Sequence, residues 1–317
     1  GYGDPAVVRT LSGKLICLMA AGSKSFPAGM LHMGYSESLD NGATWSLPKD
    51  IYPSVNKSGL AITSAFTSAG KGVTVSGTTN EYILYSDDDG ATWTIGPDKA
   101  CASADESKLE IMNDSSLLLS VRQGGWNGIA NRAYARTTGS ALGRGILSWG
   151  AKGYWTDLNA NGCNADILYY SRSTQDERDL MLHTVVKSFQ TYRRDLRLYM
   201  SFDQGKTWEE AFRLQPGFAA YSSMQRLANG DLAIIYEDGS LGNQDKMDCY
   251  AINYIVLSQQ LLADRAQQLH PEDPNGLYGL GIDSQTDTQT CYDLFGRTVT
   301  SPRKGQIYIK GGKAVLF

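Results

Sequence analysis

Apolar and polar positions alternate in short runs along most of the chain, and turn-forming residues close those runs at short intervals. Ala6 to Arg9 and Leu15 to Met19 flank Ser12-Gly13. Leu109 to Met112 and Leu117 to Val121 flank Asn113-Asp114, and Ser222 to Leu227 and Leu232 to Tyr236 flank Asn229-Gly230. Period-two alternation buries one face of a strand, and Gly, Asn and Asp accept the backbone angles of tight turns, so each pair predicts an antiparallel hairpin. A helical period is visible only over Ser258 to Leu269, where Leu261, Leu262, Ala266 and Leu269 share a face. The pattern predicts an all-β body over residues 1–262, closed by that helix.

One frame recurs within this body. Ser38-Leu-Asp-Asn-Gly-Ala-Thr-Trp45, Ser86-Asp-Asp-Asp-Gly-Ala-Thr-Trp93 and Ser201-Phe-Asp-Gln-Gly-Lys-Thr-Trp208 share Ser-x-Asp-x-Gly-x-Thr-Trp. The Asp can bond backbone two residues on, the Gly can take positive φ, and the Trp anchors the turn to a core. Ser38 to Ser86 is a step of about 48 residues, close to one four-stranded propeller blade. A worn copy of the frame runs from Arg136 to Trp149 without its Asp. Asp40, Asp88 and Asp203 are thus expected to be structural.

Composition narrows the partners. Net charge is −4 and no Lys/Arg cluster occurs, which argues against nucleic acid or an anionic membrane surface as partner. No apolar run of about 18 residues could span a membrane as a helix. The five cysteines are spread singly, so no zinc or redox pair is expected, and the three histidines, His32, His183 and His270, have no nucleophile motif beside them. After His270 the composition shifts: residues 263–290 are expected to be a linker, and residues 291–317 a small module ending in a hairpin turned at Gly311-Gly312. That tail resembles the short C-terminal β modules of exported proteins of the Bacteroidetes type, which implies a bacterial, exported protein in the periplasm, on the cell surface or secreted.

Three such frames on an all-β chain resemble the Asp-box sialidases, or neuraminidases, whose fold is a six-bladed β-propeller. Four further blocks, in family order, carry the resemblance over residues 3–260: Gly3-Asp-Pro-Ala6, Glu106 with the strand pair that ends in Arg122, Arg193-Arg-Asp-Leu196 leading into the third frame, and Ala220-Tyr-Ser-Ser-Met224. The resemblance implies retaining exo-hydrolysis of terminal sialic acid from sialylated glycans, with no metal and no organic cofactor. A carboxylate nucleophile would meet like charge on a sialoside, whereas Tyr221 can attack once Glu106 takes its proton. Arg122 and Arg193 would grip the substrate carboxylate through paired charge-assisted hydrogen bonds. Each role has a plainer rival: Tyr221 as packing, Glu106 as a solvated turn carboxylate, Arg194 or Arg197 in place of Arg193. Glu237 is read as a strand end or a neighbour of the site.

The chain also departs from the family. No Arg-Ile-Pro motif opens it, and Ala20 to Gly34 contains no Asp or Glu to serve as acid. One reading is that Gly3-Asp-Pro-Ala6 opens the second blade and that the first, with its Arg and Asp, belongs to a segment outside this chain. The other is a noncatalytic sialic-acid or glycan-binding propeller, and a related glycosidase or lyase on another acidic glycan stands behind both.

Overall fold

The computed structural model describes residues 1–22, 32–55, 67, 74–77, 80–96, 98–102, 104–123, 129–138, 148–172, 179–187, 193–240, 250–271, 291–292, 307–310 and 313–316. Two compact units emerge: residues 1–167 with 185–193, and residues 168–184 with 194–317.

The first unit holds three antiparallel sheets of locally consecutive strands. β1 (Tyr2–Arg9), β2 (Leu15–Ala21), β3 (His32–Ser38) and β4 (Lys49–Asp50) follow one another as neighbours, and a short helix α1 (Tyr52–Val55) comes next. In the second sheet β6 (Asn80–Tyr85) pairs with β5 (Thr74–Gly77), β7 (Thr94–Ile95) and β8 (Cys101–Ala102). The third runs β9 (Ala104–Ile111), β10 (Leu117–Gln123), β11 (Ile129–Thr137), β12 (Trp149–Asn161). Such up-and-down meanders are the building plan of propeller blades.

The second unit carries a six-stranded meander, β13 (Asp166–Ser171), β14 (Leu180–Val186), β15 (Arg194–Ser201), β16 (Glu209–Arg226), β17 (Leu232–Asp238) and β18 (Ala251–Leu257). The 18-residue β16 serves two ladders, pairing with β15 up to Phe218 and with β17 from Ala219 onward. The predicted helix forms as α2 (Gln259–Leu269), capped by Ser258, whose hydroxyl accepts the Leu261 N–H at 3.2 Å. Leu262, Ala263 and Ala266 bury its apolar side in the same core as Leu198, Met224 and Ile234. β19 (Cys291–Tyr292), β20 (Ile307–Lys310) and β21 (Lys313–Leu316) form a separate three-stranded sheet, and the Gly311-Gly312 turn lies outside the described residues.

All three predicted hairpins form, and they close alike. Thr10, Met112 and Leu227 each accept the N–H of a residue three positions on, and that residue has positive φ: Gly13 at 90°, Ser115 at 61° and Gly230 at 88°.

The three repeated frames also fold as one motif. The Ser38 hydroxyl donates to Asp40 at 2.8 Å and accepts the Gly42 N–H at 2.8 Å, while Asp40 accepts the backbone and hydroxyl of Thr44 at 2.8 and 2.6 Å. Ser86, Asp88, Gly90 and Thr92 repeat these bonds, as do Ser201, Asp203, Gly205 and Thr207. What differs is the anchor. Trp208 is 4% exposed and meets His183 edge-on, whereas Trp45 is 41% exposed. The second frame leans on the first sheet: Ser12 donates to Asp89 at 2.7 Å, and a Cβ on Gly90 would stand 2.3 Å from Ile16 Cδ1.

Candidate active site

Within the third sheet a β-bulge decides which side chains meet. Val121 opposes Ser107 and Gln123 opposes Ala104, so the single residue Arg122 stands across from two, Asp105 and Glu106. Both carboxylates reach its guanidinium: Glu106 Oε2 lies 2.5 Å from Nη1, and Asp105 Oδ2 3.1 Å from Nη2. The Arg122 and Glu106 side chains are only 5% and 4% exposed, while that of Asp105 is 37% exposed. Burial raises the Asp105 carboxyl above its ordinary range, and the neighbouring charge of Glu106 adds to that, against the pull of Arg122 and Arg193.

Two more buried arginines complete the cluster. Arg132, on β11, donates from Nε to Ser120 at 2.9 Å and from Nη1 to the Cys163 carbonyl at 2.8 Å. Desolvation pulls it down to about 10, with Glu106 and Asp166 opposing, so it stays cationic at neutral pH. Arg193 donates from Nη2 to the Gly162 carbonyl at 3.2 Å. Two guanidinium groups therefore fasten consecutive carbonyls of the turn between β12 and β13. Burial pushes the Cys163 thiol up to about 12, so the sulfur is neutral and poorly nucleophilic at neutral pH.

Of the three arginines that compete in the sequence, Arg194 lies over the Phe218 ring with its guanidinium carbon 3.8 Å from the centroid. Arg197 is taken by Asp195 at 2.6 Å and by Glu210. Arg193, buried to 4%, is the one within electrostatic reach of Asp105 and Cys163.

Tyr221 belongs to the second unit, half-buried on β16, and it too sits at a bulge. Ala219 opposes Asp238 and Ser222 opposes Tyr236, which leaves Ala220 and Tyr221 across from Glu237. The Tyr221 N–H donates to Glu237 Oε2 at 3.3 Å. The structure thus brings Glu106, Arg122 and Arg193 into the first unit and places Tyr221 in the second, paired locally with Glu237.

Two participants, Asp105 and Arg132, escape a reading of the sequence, while Glu237, read as a strand end or a neighbour of the site, lies beside Tyr221. Asp105 and Glu237 enter through bulges, which alternation does not encode. Arg132 carries no motif, and its only signal is a charged residue where β11 should bury one. The histidines are held within the structure: His32 pairs with Asp50 at 2.6 Å, His270 with Glu209 at 2.5 Å, and His183 is fully buried. Cys17, Cys101 and Cys163 are free thiols, and Cys249 lies outside the described residues. No cluster of three or more metal-ligating side chains occurs among the described residues. None of their helices is long and apolar enough to cross a membrane.

Known proteins resemble this chain in sequence and in fold. A sialidase of Micromonospora viridifaciens is 26% identical over an alignment of 234 residues that covers 67% of this chain and 34% of that protein, so the chain spans about a third of that relative's length. Among solved structures, the Hadza microbial sialidase Hz136 superposes with a TM-score of 0.60 at 22% identity, covering 74% of this chain and 50% of that one. The NanB sialidase of Streptococcus pneumoniae superposes with a TM-score of 0.66 at 13% identity, covering 82% and 56%. These likenesses show the fold to be the sialidase-type β-propeller, in a chain that spans about half of each. The BNR repeat-like domain matches residues 1–234, across all three Ser-x-Asp-x-Gly-x-Thr-Trp frames and the Arg122 bulge and through Tyr221, and the chain belongs to that family.

Proposed function

We propose that this chain is the propeller part of an exo-α-sialidase, a retaining glycoside hydrolase that releases terminal sialic acid from glycoconjugates. The observation that carries the reading is the buried cluster of Arg122, Arg193 and Glu106, three of the four residues to which the family resemblance points, in a chain 26% identical to a sialidase. Burial strips water from the guanidinium groups, and a carboxylate that reaches them gains charge-assisted hydrogen bonds in a low dielectric. Tyr221 is assigned as nucleophile, Glu106 as its base, and Arg122 and Arg193 as carboxylate clamp. Asp40, Asp88 and Asp203 are assigned to the turns.

No residue of this chain is assigned as the acid that protonates the leaving group, a role worth a factor of about 10² to 10⁴. The domain plan is a propeller over residues 1–262, a linker and a β module over 291–317; the linker expected over 263–290 starts later than its sequence bound, because Ala263 and Ala266 of α2 are buried in the propeller-side core. Export fits a substrate that is carried on cell-surface and secreted glycans.

The test is release of sialic acid from an aryl sialoside by the parent gene product. Loss of turnover in Tyr221→Phe supports the assignment, and unchanged turnover removes it. Binding of sialic acid with no cleavage by the parent product would instead favour a glycan-binding propeller.

A further inference from the structure

Both terminal nitrogens of Arg122 are occupied by the protein's own carboxylates, Nη1 by Glu106 at 2.5 Å and Nη2 by Asp105 at 3.1 Å. A guanidinium offers a carboxylate its best geometry through two adjacent N–H groups. Each terminal nitrogen carries a second N–H, but a third carboxylate approaching Arg122 meets the negative charge of the two already held there, so one internal partner has to yield. The two differ in their freedom to do so. Glu106 is 4% exposed and makes the shorter contact, so its departure would strand a charge in the interior. Asp105 is 37% exposed and can swing its carboxylate into water.

We infer that Asp105 is an affinity-setting residue, an internal carboxylate that occupies Arg122 Nη2 in the free protein and must be displaced by the carboxylate of an incoming acidic sugar. This rests on the reading of the Arg122–Arg193 cluster as a carboxylate site. Asp105 is the competitor whose removal tightens binding. The charged groups that face it are Arg122 from β10, Glu106 from its own strand β9, and Arg193 from the segment ahead of β15. Asp105 titrates above the ordinary carboxylate range, so protonation empties Nη2 while a sugar acid of α-carboxyl type, with a pKa of about 3.5, stays ionised. Affinity for that acid accordingly rises as pH falls through the Asp105 titration.

The test is calorimetric titration of the full chain with N-acetylneuraminate, and with its methyl ester as the uncharged control, between about pH 4.5 and 7.5. Asp105→Asn, which keeps shape and removes charge, is expected to bind the acid about tenfold tighter at neutral pH, with a flatter pH dependence and no gain for the ester. Asp105→Ala guards against a residual amide contact, and near-UV circular dichroism checks that both variants keep native packing. Equal or weaker binding by Asp105→Asn, alongside loss of binding in Arg122→Ala, overturns the inference and leaves the carboxylate-site reading intact. Absence of acid binding by the wild-type chain and every variant overturns both.

Discussion

Arg132 Nη1 donates to the Cys163 carbonyl at 2.8 Å, one residue along from the Gly162 carbonyl held by Arg193. Arg132 is 2% exposed, and its charge is balanced by Glu106 and Asp166 at longer range. Replacing it with Met would keep volume while leaving the Cys163 carbonyl without that donor and the two carboxylates under-compensated. A loss of about 3 kcal/mol is expected for Arg132→Met in urea unfolding of the whole chain. Arg132→Lys, which keeps charge but not the fork, should fall between wild type and Met. An unchanged unfolding midpoint for Met would mean that the turn at Gly162-Cys163 stands without Arg132.

The repeated frames offer a comparison at constant sequence motif. Trp208 is 4% exposed and packs against His183, with ring centroids 5.2 Å apart, whereas Trp45 is 41% exposed and its indole N–H donates to the Gly42 carbonyl at 3.1 Å. Truncation of a buried Trp leaves a cavity as well as lost apolar burial, so Trp208→Ala should cost about 3–5 kcal/mol. Trp45→Ala should cost about 1 kcal/mol, since much of its surface is already in water. Denaturant titration of each variant decides; equal losses would show that the motif, and not its burial, sets the anchor's worth.

That contrast marks the line between what the sequence states and what it withholds. Hairpins at Gly13, Ser115 and Gly230, the three Asp turns and the capped helix at Ser258 follow from chemistry within a few residues, and all of them form where the pattern puts them. The cluster of Glu106, Arg122 and Arg193 is approached through residue types at spaced positions. Asp105 and Glu237 join their partners only because β9 and β16 each insert a residue into the ladder, a property of two strands together. Arg132 is invisible for a related reason: its acceptor is a backbone carbonyl 31 residues away, and carbonyls have no letter in a sequence.

The Asp turns also predict a pH response. Asp40 and Asp88 are held down to about 2, first by the Thr hydroxyl, then by the Thr N–H and the Ser hydroxyl. Asp203 is lowered too: burial works to raise it, but the bonds from Thr207, Ser201 and Lys206 outweigh that. With the folded pKa below the unfolded one, each turn's contribution is complete above the ordinary carboxylate value of about 3.9 and is lost as pH falls through the folded value. Carboxyl-carbon NMR should place the Asp40 and Asp88 midpoints near 2. Thr92→Val should move the Asp88 midpoint upward, and no movement would deny the Thr bond its leading part.

Gly90 tests how the second frame sits on the first sheet. Its φ is 81°, and a Cβ there would stand 2.3 Å from Ile16 Cδ1, well inside contact distance, with Tyr35 Oη at 3.5 Å. Gly90→Ala therefore carries two separable penalties: about 1–2 kcal/mol for an L-residue in left-handed backbone, and about 1–3 kcal/mol for overpacking against Ile16. Ile16→Val removes the Cδ1 atom at a cost of about 1 kcal/mol by itself. The double variant should be more stable than the two single losses predict, because the valine relieves the overpacking while the backbone penalty stays. A double-mutant cycle in urea measures that coupling, expected at about 1–2 kcal/mol in the favourable direction. Strict additivity would mean that Gly90 is required for its backbone angle alone, and that the contact between the second frame and Ile16 gives way at no cost.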